Sequence, residues 1–103
     1  MDSFIPLCKA DELPIGEMKA FTVGNRRILL ANVSGTYYAM DGECTHECGY
    51  LDEGDLEEDT VVCPIHFARF SIITGKVLEG PAEEDAVCYK VEVRNGTVFV
   101  SFK

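Results

Sequence analysis

Two short cysteine–histidine motifs restrict the fold of this 103-residue chain more than any other feature of its sequence. The first is Cys44-Thr45-His46 and the second is Cys63-Pro64-Ile65-His66, so that together they read C-x-H-x16-C-x-x-H. They use both histidines of the chain and two of its five cysteines. Thiolate and imidazole ligands suit a transition metal or an iron–sulfur cluster. The fold is therefore expected to bring two loops, each with one ligand of either kind, to one metal centre.

Two kinds of metal site are open to these four side chains. Zinc sites with two cysteines and two histidines usually place two ligands of one kind in each half of the site, whereas both motifs here are mixed. A [2Fe–2S] cluster with two different irons accounts for the mixture, because one iron takes both thiolates and the other takes both imidazoles. We favour the cluster, and a structural zinc-binding module remains the alternative.

Turn-forming residues interrupt the chain at short intervals. Gly24-Asn25, Ser34-Gly35 and Asn95-Gly96 each separate two runs of strand-forming residues, and Asn-Gly is a strong hairpin signal. The best helix candidate, residues 11–17, contains a proline and a glycine, which favour a turn. Short strands and frequent turns indicate a single all-β domain, either a sandwich or a barrel. The predicted strands are residues 19–23, 26–33, 36–40, 60–63, 70–73, 76–78, 87–94 and 97–102.

The net charge of −9 comes entirely from one segment, residues 41–68, which holds nine acids and no base. Nucleic acid is not expected as a partner, because phosphate binding needs clustered lysine and arginine side chains. The acidic segment is either a solvated face or a surface that attracts a basic partner protein. The second interpretation gains weight because both cysteine–histidine motifs lie in the same segment.

Neither a membrane span nor a signal peptide is visible in the sequence. No apolar run approaches the roughly 20 residues of a spanning helix, and the N-terminal residues lack a basic region followed by an apolar one. Because the number of cysteines is odd, a closed disulfide framework is not expected. These features predict a cytoplasmic protein with reduced cysteines and no membrane contact.

At this point the sequence resembles the Rieske [2Fe–2S] family, and more narrowly the small bacterial Rieske ferredoxins of aromatic-ring-hydroxylating dioxygenase systems. The resemblance covers essentially the whole chain. It is carried by an early strand ending near Leu7-Cys8-Lys9, the C-T-H and C-P-I-H motifs, the turn Thr74-Gly75-Lys76, the segment Gly80-Pro81-Ala82 and the closing hairpin.

The resemblance implies an architecture and a ligand set. The fold would be an antiparallel sandwich of three sheets within a single domain, residues 1–103, with a small cluster-binding subdomain at about residues 41–81. Cys44 and Cys63 would hold the inner iron of one [2Fe–2S] cluster. His46 and His66 would hold the outer iron and leave their ring edges toward solvent. Pro81 would belong to a loop that covers the cluster.

The residues around the second motif predict a low reduction potential. High-potential Rieske proteins carry an additional cysteine in each ligand loop and two hydroxyl side chains after the second histidine. The second loop has Ile65 at the cysteine position, whereas Cys48 lies near the matching position of the first loop but has no partner, so a disulfide between the loops is not expected. The two hydroxyl positions are occupied by Ala68 and Phe70. Hydrogen bonds to cluster sulfur raise the potential, so their absence lowers it. A hydroxyl donor from another part of the chain, for instance Tyr50, would raise the potential again.

We therefore expect a one-electron carrier rather than an enzyme. By resemblance, it passes electrons from an NAD(P)H-dependent flavin reductase to a terminal Rieske non-haem iron oxygenase in aromatic ring hydroxylation. It would act as a monomer and dock both partners through the acidic surface near the exposed histidine ligands. A Rieske-like small subunit of a nitrite reductase is the alternative within electron transfer.

Overall fold

The computed structural model describes residues 4–43, 49–64, 67–80 and 84–101. Within these ranges there are two short 3₁₀ turns, Ala10–Glu12 and Leu51–Glu53, and no α-helix. The described part also has no helical segment with the length and apolar character of a membrane span. The strands are β1 (Phe4–Lys9), β2 (Met18–Val23), β3 (Arg26–Val33), β4 (Thr36–Asp41), β5 (Asp55–Glu57), β6 (Thr60–Val62), β7 (Arg69–Ser71), β8 (Val77–Glu79), β9 (Cys88–Arg94) and β10 (Thr97–Ser101).

Six of these strands form one antiparallel sheet in the order β1-β10-β9-β4-β3-β2. Strand β3 is its most buried member, because Ile28 and Leu30 pack on one side while Leu29 and Ala31 pack on the other. A strand covered on both faces reads as a continuous apolar run rather than an alternating one. The first face is closed by the β9–β10 hairpin, and the second is covered by the smaller sheet.

The smaller sheet has four short antiparallel strands in the order β5-β6-β7-β8. It covers the Leu29 face of the large sheet through Val61, Phe70 and Ile72, which are fully buried in the same apolar cluster. Its β6–β7 connection contains the second cysteine–histidine motif, and the segment after β4 contains the first. The contact between the two sheets therefore fixes the described residues that flank both motifs.

The all-β antiparallel fold is confirmed, with one correction to the number of sheets. The resemblance implied three, but the described residues form two, because Ala39 pairs with Tyr89 and Met40 with Cys88. These pairs join the strands of two sheets into the single six-stranded one. Strand β5 is an element that the sequence did not predict.

Candidate metal centre

The loop that contains the first motif is closed at its base by hydrogen bonds. The Gly42 amide donates to the Arg27 carbonyl over 2.8 Å, and the Leu51 amide donates to the Gly42 carbonyl over 2.7 Å. Glu43 and Tyr50 form an antiparallel bridge next to these bonds. The first motif's ligand candidates, Cys44 and His46, and the neighbouring Cys48 lie outside the described residues.

The loop that contains the second motif continues the β6–β7 hairpin. The Cys63 amide donates to the Ala68 carbonyl over 2.8 Å, and the Phe67 amide donates to the Cys63 carbonyl over 3.1 Å. The Cys63 side chain is 1% exposed and packs in the same apolar cluster as Leu51 and Phe70. His66 and Ile65 lie outside the described part of the chain, as does Pro81.

The bases of the two loops lie side by side, and Gly54 shows how closely they pack. A β-carbon built on Gly54 would lie 1.8 Å from the Val62 carbonyl oxygen and 3.1 Å from Cδ of Pro64. The chain that leaves the first loop therefore runs directly against the strand that leads into Cys63. This close approach requires glycine.

The described residues fit a [2Fe–2S] cluster at this place. Cys63 offers a thiol that is almost completely removed from water, in a loop whose backbone is held by two hydrogen bonds. Ala68 and Phe70, at the positions where high-potential Rieske proteins carry hydroxyl groups, are buried and have no polar side-chain atom. Elsewhere in the described ranges, no group of three or more histidine, cysteine or acidic side chains is arranged to hold a metal ion. The four motif residues remain the candidate ligands.

The acidic segment is partly neutralised by arginines that the sequence places outside it. Arg27 donates two hydrogen bonds, of 3.0 and 2.8 Å, to the two carboxylate oxygens of Asp52. Arg69 lies 2.7 Å from Glu57 and 3.0 Å from Glu79. Arg69, the first base after the segment, thus forms an ion pair with it through Glu57, and Arg27 forms a second one through Asp52.

Two tyrosines also bear on the base of the first loop. The Tyr89 hydroxyl donates a 2.5 Å hydrogen bond to Asp41, and burial together with this bond raises the pKa of Tyr89. Tyr50, the residue considered as a hydrogen-bond donor to the cluster, stacks on Arg27, whose guanidinium carbon lies 3.9 Å from the ring centre.

Phe67, the residue after His66, is the most exposed aromatic side chain in the described ranges, at 69% exposure. Its φ of +61° lies in the left-handed region, which is unfavourable for an aromatic residue. Strain of this kind persists only where the surrounding structure imposes it. The hairpin therefore holds a large apolar side chain in solvent, one residue after the second motif in the chain.

Comparisons with known proteins agree with this description. The family model of the Rieske [2Fe-2S] domain matches residues 3–95. The biphenyl 2,3-dioxygenase ferredoxin component of Rhodococcus jostii is 35% identical over 97 residues, which are 94% of this chain and 91% of that protein. The 3-phenylpropionate/cinnamic acid dioxygenase ferredoxin subunit of Escherichia coli K12 is 38% identical over 95 residues, covering 90% and 88% of the two chains.

Solved structures show the same likeness in three dimensions. The ferredoxin of carbazole 1,9a-dioxygenase from Nocardioides aromaticivorans superimposes with a TM-score of 0.93 at 26% identity, over 98% of this chain and 99% of that one. A chain of a complex between reduced oxygenase and oxidized ferredoxin of carbazole 1,9a-dioxygenase gives a TM-score of 0.91 at 29% identity, over 95% and 92%.

The paired motif loops, the two-sheet architecture and these comparisons lead to one assignment, which includes one [2Fe–2S] cluster. The chain belongs to the Rieske [2Fe–2S] family and is an electron carrier of the type found as the ferredoxin component of bacterial aromatic dioxygenase systems.

Proposed function

We propose that this chain transfers single electrons from an NAD(P)H-dependent flavin reductase to a terminal Rieske non-haem iron oxygenase, using Cys44, His46, Cys63 and His66 as cluster ligands. The observation that supports this most directly is the buried Cys63 thiol beside the closed base of the first loop. The named relatives are dioxygenase ferredoxins, which favours this role over a nitrite reductase subunit or a zinc module.

Residues of about 41–81 would form the cluster-binding subdomain, and the remaining strands would form its base. When bound, the cluster supplies reversible one-electron oxidation and reduction at a fixed position. The protein contributes the ligands, an apolar shell that includes Leu51 and Phe70, and exclusion of water from Cys63. Because Ala68 and Phe70 donate no hydrogen bond from their side chains, we place the potential near the lower end of the Rieske range.

The docking surface would be the end of the molecule that carries the two motif loops. Glu43, Glu53 and Asp55 are exposed there, and Asp55 pairs with Val62, the residue before Cys63. Exposed Phe67 would supply an apolar centre beside these acids. A basic partner surface would be attracted over a long distance and would release quickly, as transient electron transfer requires.

We also propose that the carrier acts as a monomer in the cytoplasm. Cys8 and Cys88, which are partly buried on two different strands, are not joined in a disulfide. Unbridged cysteines are typical of proteins in a reducing compartment.

The decisive experiment is cluster analysis of the purified protein and of His66→Ala. The wild type should contain about two irons and two acid-labile sulfides per chain and give a Rieske-type EPR signal after reduction. His66→Ala should lose that signal, whereas Cys88→Ala, a change at a cysteine outside both motifs, should keep it. One zinc ion per colourless chain, or an unchanged signal in His66→Ala, would refute the proposed ligand set.

A further inference from the structure

Arg27 contacts both ends of the loop that contains the first motif. At the entrance, its carbonyl accepts the Gly42 amide over 2.8 Å, and a β-carbon on Gly42 would lie 2.9 Å from Cγ of Arg27. At the exit, its guanidinium stacks on Tyr50 at 3.9 Å and binds both carboxylate oxygens of Asp52. One side chain of the large sheet thus joins residues that precede and follow the loop.

The geometry of this contact is specific to arginine. The planar guanidinium matches the carboxylate with two parallel hydrogen bonds and presents its face to an aromatic ring at the same time. The Asp52 side chain is 12% exposed and that of Arg27 is 30% exposed, so the pair is better shielded than the pair between Arg69 and Glu57. A lysine at this position would keep the charge but lose the second hydrogen bond and the flat stacking surface.

The contact also extends to the second loop. Leu51 lies between Tyr50 and Asp52, is fully buried, and shares an apolar cluster with Cys63. Fixing Tyr50 and Asp52 therefore fixes the apolar residue that packs with Cys63 in the other motif. The relative position of the two loop bases then depends on whether Arg27 holds Tyr50 and Asp52 against strand β3.

We propose that Arg27 is a positioning residue for the cluster: it holds Gly42, Tyr50 and Asp52, the described residues that flank the first motif, against the large sheet and so keeps the two loop bases in a constant register. This inference rests on the proposed function, because it takes Cys44 and His46 as ligands. Arg27 acts through Tyr50 and Asp52 and touches no ligand in the described residues. Its role is to retain the cluster by keeping the residues on both sides of the first motif fixed.

Arg94 provides a matched control. It also lies over aromatic rings, 5.0 Å from Phe4 and 5.6 Å from Phe99, and 2.7 Å from a carboxylate, Glu92. However, it ends β9 at the Asn95-Gly96 turn, whereas the opposite end of β9, at Cys88, pairs with β4 beside the first loop. Arg94→Lys thus makes the same chemical change at the far end of the sheet.

The test compares Arg27→Lys, Asp52→Asn and Arg94→Lys in the holo-protein. Decay of the visible absorption in the presence of a chelator measures cluster loss, and hydrogen exchange of the peptide that spans residues 42–51 measures loop opening. We expect cluster loss and loop exchange to accelerate about tenfold in Arg27→Lys and in Asp52→Asn. Arg94→Lys should match the wild type in both measurements.

Two outcomes would overturn the inference. The first is wild-type cluster loss and loop exchange in Arg27→Lys, since charge alone would then suffice. The second is an equal acceleration in Arg94→Lys, since the effect would then be one of general stability. Asp52→Asn keeps Arg27 and changes its partner, so it tests the same contact independently. If the wild-type protein itself binds no [2Fe–2S] cluster, it is the proposed function that fails, and the hydrogen-exchange comparison still reports on Arg27.

Discussion

Removing two acids near the motif loops should slow electron delivery more than removing two acids at the far end of the small sheet. Glu43 and Asp55 are exposed at the end that carries the motif loops. Glu58 and Asp59 are exposed in the β5–β6 turn, at the opposite end. Strands advance by about 3.3 Å per residue, so the turn lies about 10 Å farther from the proposed docking surface. The double variants Glu43→Gln/Asp55→Asn and Glu58→Gln/Asp59→Asn each remove two charges.

The expected magnitudes follow from Coulomb's law with ionic screening. In water at 0.01 M salt, the attraction between an acid and a partner cation about 7 Å away is about 0.5 kcal/mol. At about 17 Å it is about 0.1 kcal/mol. Two charges then change the association rate about fivefold near the docking surface and less than about twofold at the turn. At 0.15 M salt the first effect should fall to about twofold and the second should vanish.

The measurement is stopped-flow reduction of a terminal oxygenase component by the reduced carrier, repeated at both salt concentrations. The midpoint potential of each variant is the control, because loss of nearby negative charge also raises the potential and lowers the driving force. At matched driving force, equal slowing in the two double variants would refute docking at the loop end. A rate that is independent of salt in the wild type would refute steering altogether.

Three further changes test separate parts of the structure. Ala68→Ser should raise the midpoint potential by roughly 40 mV, since a hydroxyl hydrogen bond about 1 kcal/mol stronger to the reduced cluster has that effect; an unchanged potential in voltammetry would contradict the account of the low potential. Gly54→Ala should lower the free energy of unfolding by more than about 3 kcal/mol, because its β-carbon would overlap the Val62 carbonyl; a wild-type melting temperature would contradict the packing of the loop bases. Burial and the hydrogen bond to Asp41 raise the pKa of Tyr89, so unfolding free energy should fall as the pH rises above roughly 10, where the unfolded tyrosine ionises first. Denaturant titrations of Tyr89→Phe should show no such fall in unfolding free energy. If the fall persists in this variant, another group causes it.

The sequence predicted the fold correctly where a strand buries every second side chain, or where a turn has residues typical of a hairpin. The β9–β10 hairpin forms around Asn95-Gly96, and Val98 and Val100 of its second strand are fully buried. Strand β5 was not predictable, because Asp-Leu-Glu has the composition of a loop. It forms because Leu56 and its neighbours pair with the apolar strand β6. This tertiary contact overrides the low strand propensity of Asp and Glu.

The ligand motifs were predictable because their chemistry is local, but the contacts that hold them are not. Cys63 was proposed as a ligand from its spacing, and the structure shows its burial. Arg27 and Asp52 are 25 residues apart, and their contact depends on the pairing of Ile28 with Asp41, which sets Arg27 beside Gly42. No pattern in the sequence shows which residue of β3 pairs with which residue of β4, so the contact between Arg27 and Asp52 could not be predicted.

The same limit applies to the charge of the acidic segment. A count along the sequence gives nine acids and no base in residues 41–68, yet the fold brings Arg27 to Asp52 and Arg69 to Glu57. These two carboxylates contribute little to the field that a partner protein meets, since the nearby cations cancel them. The remaining attraction depends on which exposed acids lie near the motif loops. Their distance from the motif loops, rather than their number in the sequence, therefore decides whether the segment steers a partner toward the cluster.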